Sequence, residues 1–326
     1  MDQLAALRVF ARVVEAGNFT KAADSLDMPK PTVTKHVQSL ETHLRVRLLN
    51  RTTRRVTVTP DGAAYYERAV RLLADLSDMD AGMSNAQSAP QGRLRIDVGS
   101  SVARLVIIPA LPDFHARYPD IQIDLGVTDR PVDLIGENVD CVVRGGPLHD
   151  QSLVARRIGD FHFIACATPS YLATHGVPAH PSELDDKHHI VGYFSARTGR
   201  LLPWDFNKDG QRIDVQGRYR VSVNDSNAYL SAALAGLGII QAPTFMLQEH
   251  ITRGELEPVL SDWSSEPVPV YVVYAPNRHV SARLRVFVDW VADLFATNDL
   301  IQRRSTLPAT QAASRREIVA KATSAS

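Results

Sequence analysis

The stretch that most constrains this chain runs from Asn18 to Gly62, because its pattern fits two helices, a turn and a basic hairpin. Asn18 or Thr20 can cap a short helix whose inner face, Ala22, Ala23 and Leu26, is small and apolar, before Met28 and Pro29 stop it. A second helix opens near Pro31 or Thr32, since a proline's missing N–H costs nothing in a first turn. It runs through Val33, Val37, Leu40, Leu44 and Leu48, so one face packs while Thr32, Thr34, Lys35, His36 and Ser39 stay outward. After Asn50, Arg51 to Arg55 precede the alternating Val56-Thr57-Val58-Thr59, which predicts a two-stranded wing closed by Pro60-Asp61-Gly62.

Charge gives that surface a purpose. From Lys30 to Arg55 there are seven basic residues against one acid, Glu41. Hydroxyls and ammonium groups near a helix start reach phosphates and base edges, and phosphate contact is the simplest use of such an excess. The whole chain has no net charge, yet residues 1–60 hold ten Lys/Arg and five Asp/Glu, and residues 302–326 hold five and one. The stretch between is therefore acidic, and a basic head on an acidic body favours one orientation on DNA.

The residues that make the pattern specific form an ordered set: Phe10, Phe19-Thr20-Lys21-Ala22-Ala23, Val33-Thr34-Lys35, Leu40-Glu41, Val46-Arg47-Leu48-Leu49, Asn50 to Arg55, and Thr59-Pro60-Asp61-Gly62. In these the chain resembles the N-terminal winged helix-turn-helix of the LysR-type transcriptional regulators. Two positions depart from it. Pro29 stands where that family usually has a small polar residue, and Arg45 where it usually has glycine, which predicts that the last helical turn runs on without a left-handed residue. A helical interaction domain with a solvated charged face is the competing reading, and the ordered match weighs against it.

The first helix, from about Asp2 to Ala16, carries Leu4, Leu7, Phe10 and Val14 at helical spacing and braces the two helices after it. Beyond the wing, Ala63 to about Ser84 is amphipathic. Tyr65, Ala69, Leu72, Leu76, Met79 and Met83 form a heptad seam, with Tyr66, Val70 and Leu73 as a second stripe. One stripe can pack on the head and the other on a partner subunit. Three heptads alone also fit a helix packed within its own chain; the resemblance implies a dimerisation helix. Asn85 to Gly92 read as a hinge.

From Arg93 strands alternate with helices. Leu94, Ile96 and Val98, then a helix to about Tyr118, then Ile121, Ile123, Leu125 and Val127 make a βαβ unit, and Asp140 to Arg144 a further buried strand. Phe161 to Ala167 reads as a strand crossing into a second lobe and Val268 to Tyr274 as one returning, with a last helix from about Val280 to Phe295. The predicted fold is thus an N-terminal all-α winged helix-turn-helix with a linker helix, then an α/β two-lobed effector domain. The resemblance implies that this domain is like the type 2 periplasmic binding proteins. The predicted division is 1–60 for the DNA-binding head, 61–91 for linker helix and hinge, and 92–300 for the effector domain. Within that domain lobe I is about 92–161 with 268–300, and lobe II about 162–267. Residues 301–326 read as a disordered tail.

Ligands of open α/β sheets sit beyond the carboxyl ends of strands. Ser100, Ser101, Thr128, Arg144, Thr168, Asn224 and Gln241 fall at such ends, and they suit a small carboxylate balanced by helix dipoles and Arg144. For each serine or threonine alone, plain helix capping is the competing role. Cys141 and Cys166 sit in apolar strand patterns as core thiols, and His175, His180, His188 and His189 lack a metal-ligand pairing. Asp129-Arg130 reads as a turn. No catalytic constellation, P-loop or dinucleotide fingerprint is present, so neither an enzyme nor a cofactor or metal is expected. No apolar run approaches a membrane span and the N-terminus lacks a secretory segment, so a cytoplasmic protein is expected.

The expected function is a sequence-specific DNA-binding regulator switched by a small effector. Thr32, Thr34 and Lys35 read the major groove, Lys30 and Pro31 are further DNA-binding candidates, Arg51, Arg54 and Arg55 hold backbone or minor groove, and Thr20 touches phosphate. Expected partners are duplex DNA of a promoter or operator, the effector and a second copy in a dimer or tetramer, with RNA polymerase implied by the resemblance. The alternative is a small-molecule-binding protein or enzyme of the same α/β fold with an unrelated helical appendage.

Overall fold

Phe10 is fully buried where the first, second and third helices and the long fourth helix need a common filler, and its ring meets those of Tyr65 and Tyr66 at 5.9 and 6.5 Å. The computed structural model describes residues 2–51, 56–83, 89–134, 136–137, 139–147, 152–276 and 280–302. It divides into two units, Met1–Ala89 and Pro90–Ser326.

In the first unit α1 (Gln3–Ala16) is capped by Asp2, and α2 (Phe19–Ser25) by Asn18, whose side chain accepts from the Thr20 and Lys21 N–H groups. α3 (Lys30–Leu44) begins one residue before the predicted proline, so Pro31 lies inside its first turn. It ends at Leu44, so Leu48 belongs to the connection before the wing and is buried there. Arg45 corrects the sequence reading: it is left-handed, φ 56° and ψ 30°, and closes α3 as a glycine would. The wing strands β1 (Leu49–Arg51) and β2 (Val56–Val58) pair antiparallel from Leu49↔Val58 to Arg51↔Val56. Pro60-Asp61-Gly62 does not close the wing but opens α4 (Pro60–Met83), with Thr59 Oγ1 accepting from the Gly62 N–H at 2.9 Å. Proline prefers a first helical turn to the end of a strand, which explains the shift.

The second unit holds a five-stranded sheet in one lobe and, in the other, a three-stranded sheet with two two-stranded ones. In the first, β3 (Gly92–Val98) lies parallel to β4 (Ile121–Val127) and to β5 (Cys141–Gly145). Between β3 and β4, α5 (Ser100–Val102) passes through a π-helical turn (Ala103–Ile107) into α6 (Ile108–Arg117). The strand β6 (Val154–Phe161), too polar to show an alternation, completes the order β4-β3-β5-β14-β6, in which β14 is Val268–Tyr274. The crossing foreseen as one strand is broken at His162, after which β7 (Phe163–Ala167) opens the second lobe.

There follow α7 (Pro169–His175), α8 (Glu183–Asp186), β8 (Ile190–Tyr193), the hairpin β9 (Trp204–Lys208) and β10 (Gln211–Val215), β11 (Tyr219–Val223) and α9 (Ser226–Leu234). The lobe ends with β12 (Ile240–Pro243), α10 (Thr244–Thr252) and β13 (Glu257–Val259). β11 pairs parallel with β8, β8 is bridged through Ile190 to Ile239, and β7 lies antiparallel between β12 and β13. β14 (Val268–Tyr274) then returns to the first sheet, antiparallel to β5 and β6. In each lobe the reversed strand is the one that arrives from the other lobe, because it starts at the hinge where its neighbours end. The mutually parallel strands, β3, β4, β5 and β6 in the first lobe and β8, β11, β12 and β13 in the second, thus point their carboxyl ends at the gap between the lobes. α11 (Ala282–Thr297) packs Phe287 and Trp290 on Phe114, and α12 (Asp299–Gln302) buries Ile301, so the chain keeps its structure past the predicted start of the tail. Residues 303–326 of that tail lie outside the described residues.

Candidate functional site

In the first unit the expected DNA-facing residues fall on one surface of α3 and its neighbours. Lys30, Pro31, Lys35 and, on α2, Thr20 are exposed; Thr32 and Thr34 are half-buried, and the Thr34 hydroxyl donates to the Lys30 carbonyl at 3.0 Å. The apolar face, Val33, Val37 and Leu40, is fully buried, so the cationic face is the one left for a partner. Arg54 and Arg55 and the side chain of Arg51 lie outside the described residues. Glu41, the single acid in the basic window, has a role the sequence did not suggest. Its carboxylate accepts from the Leu48 and Leu49 N–H groups at 2.9 and 3.1 Å and so fixes where the wing starts.

The predicted seam of α4 divides. Tyr65 lies against Phe10 and Ala69 is buried within the unit, whereas Leu72 is 53% exposed and Leu76 half-buried. A face that packs on its own head cannot also meet a partner, so of the described seam side chains only Leu72 and Leu76 are left open. The side chains of Met79 and Met83 lie outside the described residues.

At the strand ends of the second unit the structure brings Ser100, Ser101 and Asn224 together around residues the sequence reading passed over. The Ser100 N–H donates to Asp129 Oδ1 at 2.7 Å, and the Ser226 N–H, from the other lobe, donates to Asp129 Oδ2 at 2.6 Å. Ser100 Oγ donates to Asp225 Oδ2 at 2.7 Å, and the Ser101 N–H to Ser226 Oγ at 3.0 Å. Asp225 also caps α9 through the Ala228 N–H. Tyr193, whose hydroxyl donates to the Asn224 carbonyl, is held protonated by burial and then by the Asp129 charge beside it. From the sequence Asp129 reads only as part of a turn, and no motif marks Asp225 or Ser226. The available signal was position: Asp129 follows Thr128 at a strand end.

Other expected effector residues point elsewhere. Arg144 spends one guanidinium nitrogen on its own lobe, Nη2 bonding Asp97 at 2.6 Å and the Thr128 carbonyl at 2.8 Å, while its Nε is buried without a hydrogen-bond partner. Burial still pushes the Asp97 carboxyl above its usual range, against the pull of Arg144. Thr128 uses its own hydroxyl to accept from the Arg130 N–H. Thr168 follows β7, the reversed strand, so it lies at the end of its sheet away from the gap and caps α7 instead. Gln241 sits within β12 and donates to the Asp205 carbonyl at 3.0 Å. It lines a separate cavity of about 200 Å³ together with His162, Phe206, Trp263 and Ser264. Both cysteines are buried and free, and burial drives both thiols well above their ordinary range. Among the described residues no helix is long and apolar enough to cross a membrane.

Comparison with known proteins fits this geometry. Residues 4–63 match the family described as bacterial regulatory helix-turn-helix protein, lysR family, and residues 87–296 match the LysR substrate binding domain. An HTH-type transcriptional repressor of Pseudomonas aeruginosa is 40% identical over 302 residues, covering 93% of this chain and 95% of its own. The full-length structure of the Vibrio cholerae virulence activator AphB is similar at TM-score 0.56 and 34% identity, over 89% of this chain and 98% of that one. The structure of CrgA, a LysR-type regulator of Neisseria meningitidis, is similar at TM-score 0.56 and 33% identity, over 89% and 97%. With the helix-turn-helix at one end and the substrate binding domain over most of the rest, the chain belongs to the LysR family of transcriptional regulators.

Proposed function

We propose that this regulator reads duplex DNA with α3 and the wing, and that a small carboxylate-bearing effector acting between the two lobes alters how the protein holds or bends that DNA. Regulators of this family bind DNA and small-molecule effectors and oligomerise. Lys30, Pro31, Thr32, Thr34 and Lys35 face the major groove, Arg51, Arg54 and Arg55 meet phosphate or the minor groove, and Thr20 a phosphate. Residues 1–60, 61–91 and 92–300 act as head, linker and effector domain. Self-association uses α4 from Leu72 onward, RNA polymerase is contacted at the promoter, and the protein works in the cytoplasm.

The observation that supports the carboxylate is Asp129 itself: two helix-opening N–H groups already bond one carboxylate at 2.7 and 2.6 Å. Backbone N–H groups at helix starts favour anions through unsatisfied donors and the helix dipole. A solute-binding protein or enzyme with a helical appendage is not favoured, since the head matches a DNA-binding family throughout. The test is to recover the genomic fragments bound by the purified full-length protein and titrate those complexes with carboxylates made or used by the neighbouring genes. Release or altered footprints with one such acid supports the reading; indifference to every acid, with a response to a neutral or cationic metabolite, overturns the carboxylate part.

A further inference from the structure

Asp129 belongs to the first lobe, but only one of its oxygens is used there. A residue that merely capped its own loop would need the Ser100 N–H alone, at Oδ1. Oδ2 reaches across the gap to the Ser226 N–H, and two further bonds, Ser100 to Asp225 and Ser101 to Ser226, cross beside it. The first turns of both helices supply N–H groups that have no acceptor inside their helices, so the carboxylate is what satisfies them. Room for it is built in: a Cβ on Gly99 would stand 3.1 Å from Asp129 Oδ1. Charge does not explain the contact, because it sets two carboxylates, Asp129 and Asp225, near one another while Arg144 is held by Asp97.

We propose that Asp129 is an internal ligand that latches the two lobes together when no effector is bound, and that an effector carboxylate works by displacing it from Ser226. The displacement half rests on the carboxylate reading above; the latch does not. The Ser226 N–H cannot serve two acceptors fully, so a tethered competitor at high effective concentration lowers the apparent affinity for any free acid. Asp129 thereby sets how strongly an acid must bind before it takes over the bridge between the lobes, and acids that cannot reach both helix starts are rejected.

The test compares lobe separation in the full-length protein without ligand. Spin labels are placed through Arg117→Cys in the first lobe and Val177→Cys in the second, both exposed, while the native Cys141 and Cys166 are buried. Labelled chains are diluted with unlabelled ones so that distances stay within one chain. Asp129→Ala removes the acceptor. Ser226→Pro removes the donor, together with the Oγ that accepts from Ser101, without touching Asp129, and the backbone suits it, because Ser226 is the first helical residue and Asp225 before it has φ −126° and ψ 133°. The latch predicts a longer and broader distance distribution in both variants than in the parent. Unchanged distances in Ser226→Pro, or in a folded Asp129→Ala, overturn it. Sodium acetate is then added to Asp129→Ala, with sodium chloride at equal ionic strength as control. Return to the short distance supports displacement by a carboxylate; a distance that stays long removes the carboxylate reading and leaves the latch standing.

Discussion

Arg144 and Asp97 meet at 2.6 Å with side chains only 21% and 8% exposed, and the same guanidinium nitrogen also donates to the Thr128 carbonyl. The pair ties β3 to β5 at the end of the sheet where the gap opens, so through Nη2 it is a fixture of the lobe. Arg144→Met leaves Asp97 buried and unpaired, and the expected loss is about 3 kcal/mol. Urea unfolding checks this, and Asp97→Leu combined with Arg144→Met should recover most of the loss, because the uncompensated charge is then gone.

Glu41 is predicted to matter for DNA binding although it is acidic. Glu41→Ala leaves the Leu48 and Leu49 N–H groups without this acceptor beside two buried leucines, at a cost of about 1–3 kcal/mol. Calorimetric melting should show the loss, and DNA affinity should fall because the wing starts at Leu49.

Arg45→Gly is expected to stabilise the first unit by roughly 1 kcal/mol, since it removes a Cβ from a left-handed position at the end of α3. A higher melting temperature checks it. Gly62→Ala should do the reverse and more, because its Cβ would fall 2.0 Å from the Leu48 carbonyl oxygen, a backbone atom that cannot swing aside.

His188 gives a pH dependence. Burial first, then the charges of His175 and Lys187, lower its imidazole pKa below the ordinary 6.5, against Glu183. The folded state then binds fewer protons than the unfolded chain, so this contribution to stability is present above 6.5 and is lost as the pH falls toward the depressed folded value. Melting temperatures measured downward from neutral pH should drop, and His188→Phe should reduce the drop.

Much of this was legible in the chain. Val33, Val37 and Leu40 marked α3 because a helix repeats its buried face every three or four residues, and Leu94, Ile96 and Val98 marked β3 because a strand repeats every two. Val154 to Phe161 hid because a strand at the edge of its sheet needs few apolar residues. Thr168 misled because the carboxyl end of a strand faces the gap only if the strand runs with its neighbours, and that direction is settled by which lobe it enters from. Asp129 was unreadable as more than a turn, since its second partner, Ser226, lies 97 residues on.

Contact between duplex phosphates and the cationic surface of α3 and the wing, as proposed, is read out by the affinity of the purified full-length protein for a bound genomic fragment as salt is raised. Log affinity should fall linearly and steeply with log salt, and Lys35→Ala should lower the slope by about 1. An affinity indifferent to salt, or a Lys35→Ala protein with the parent's slope, would contradict that contact.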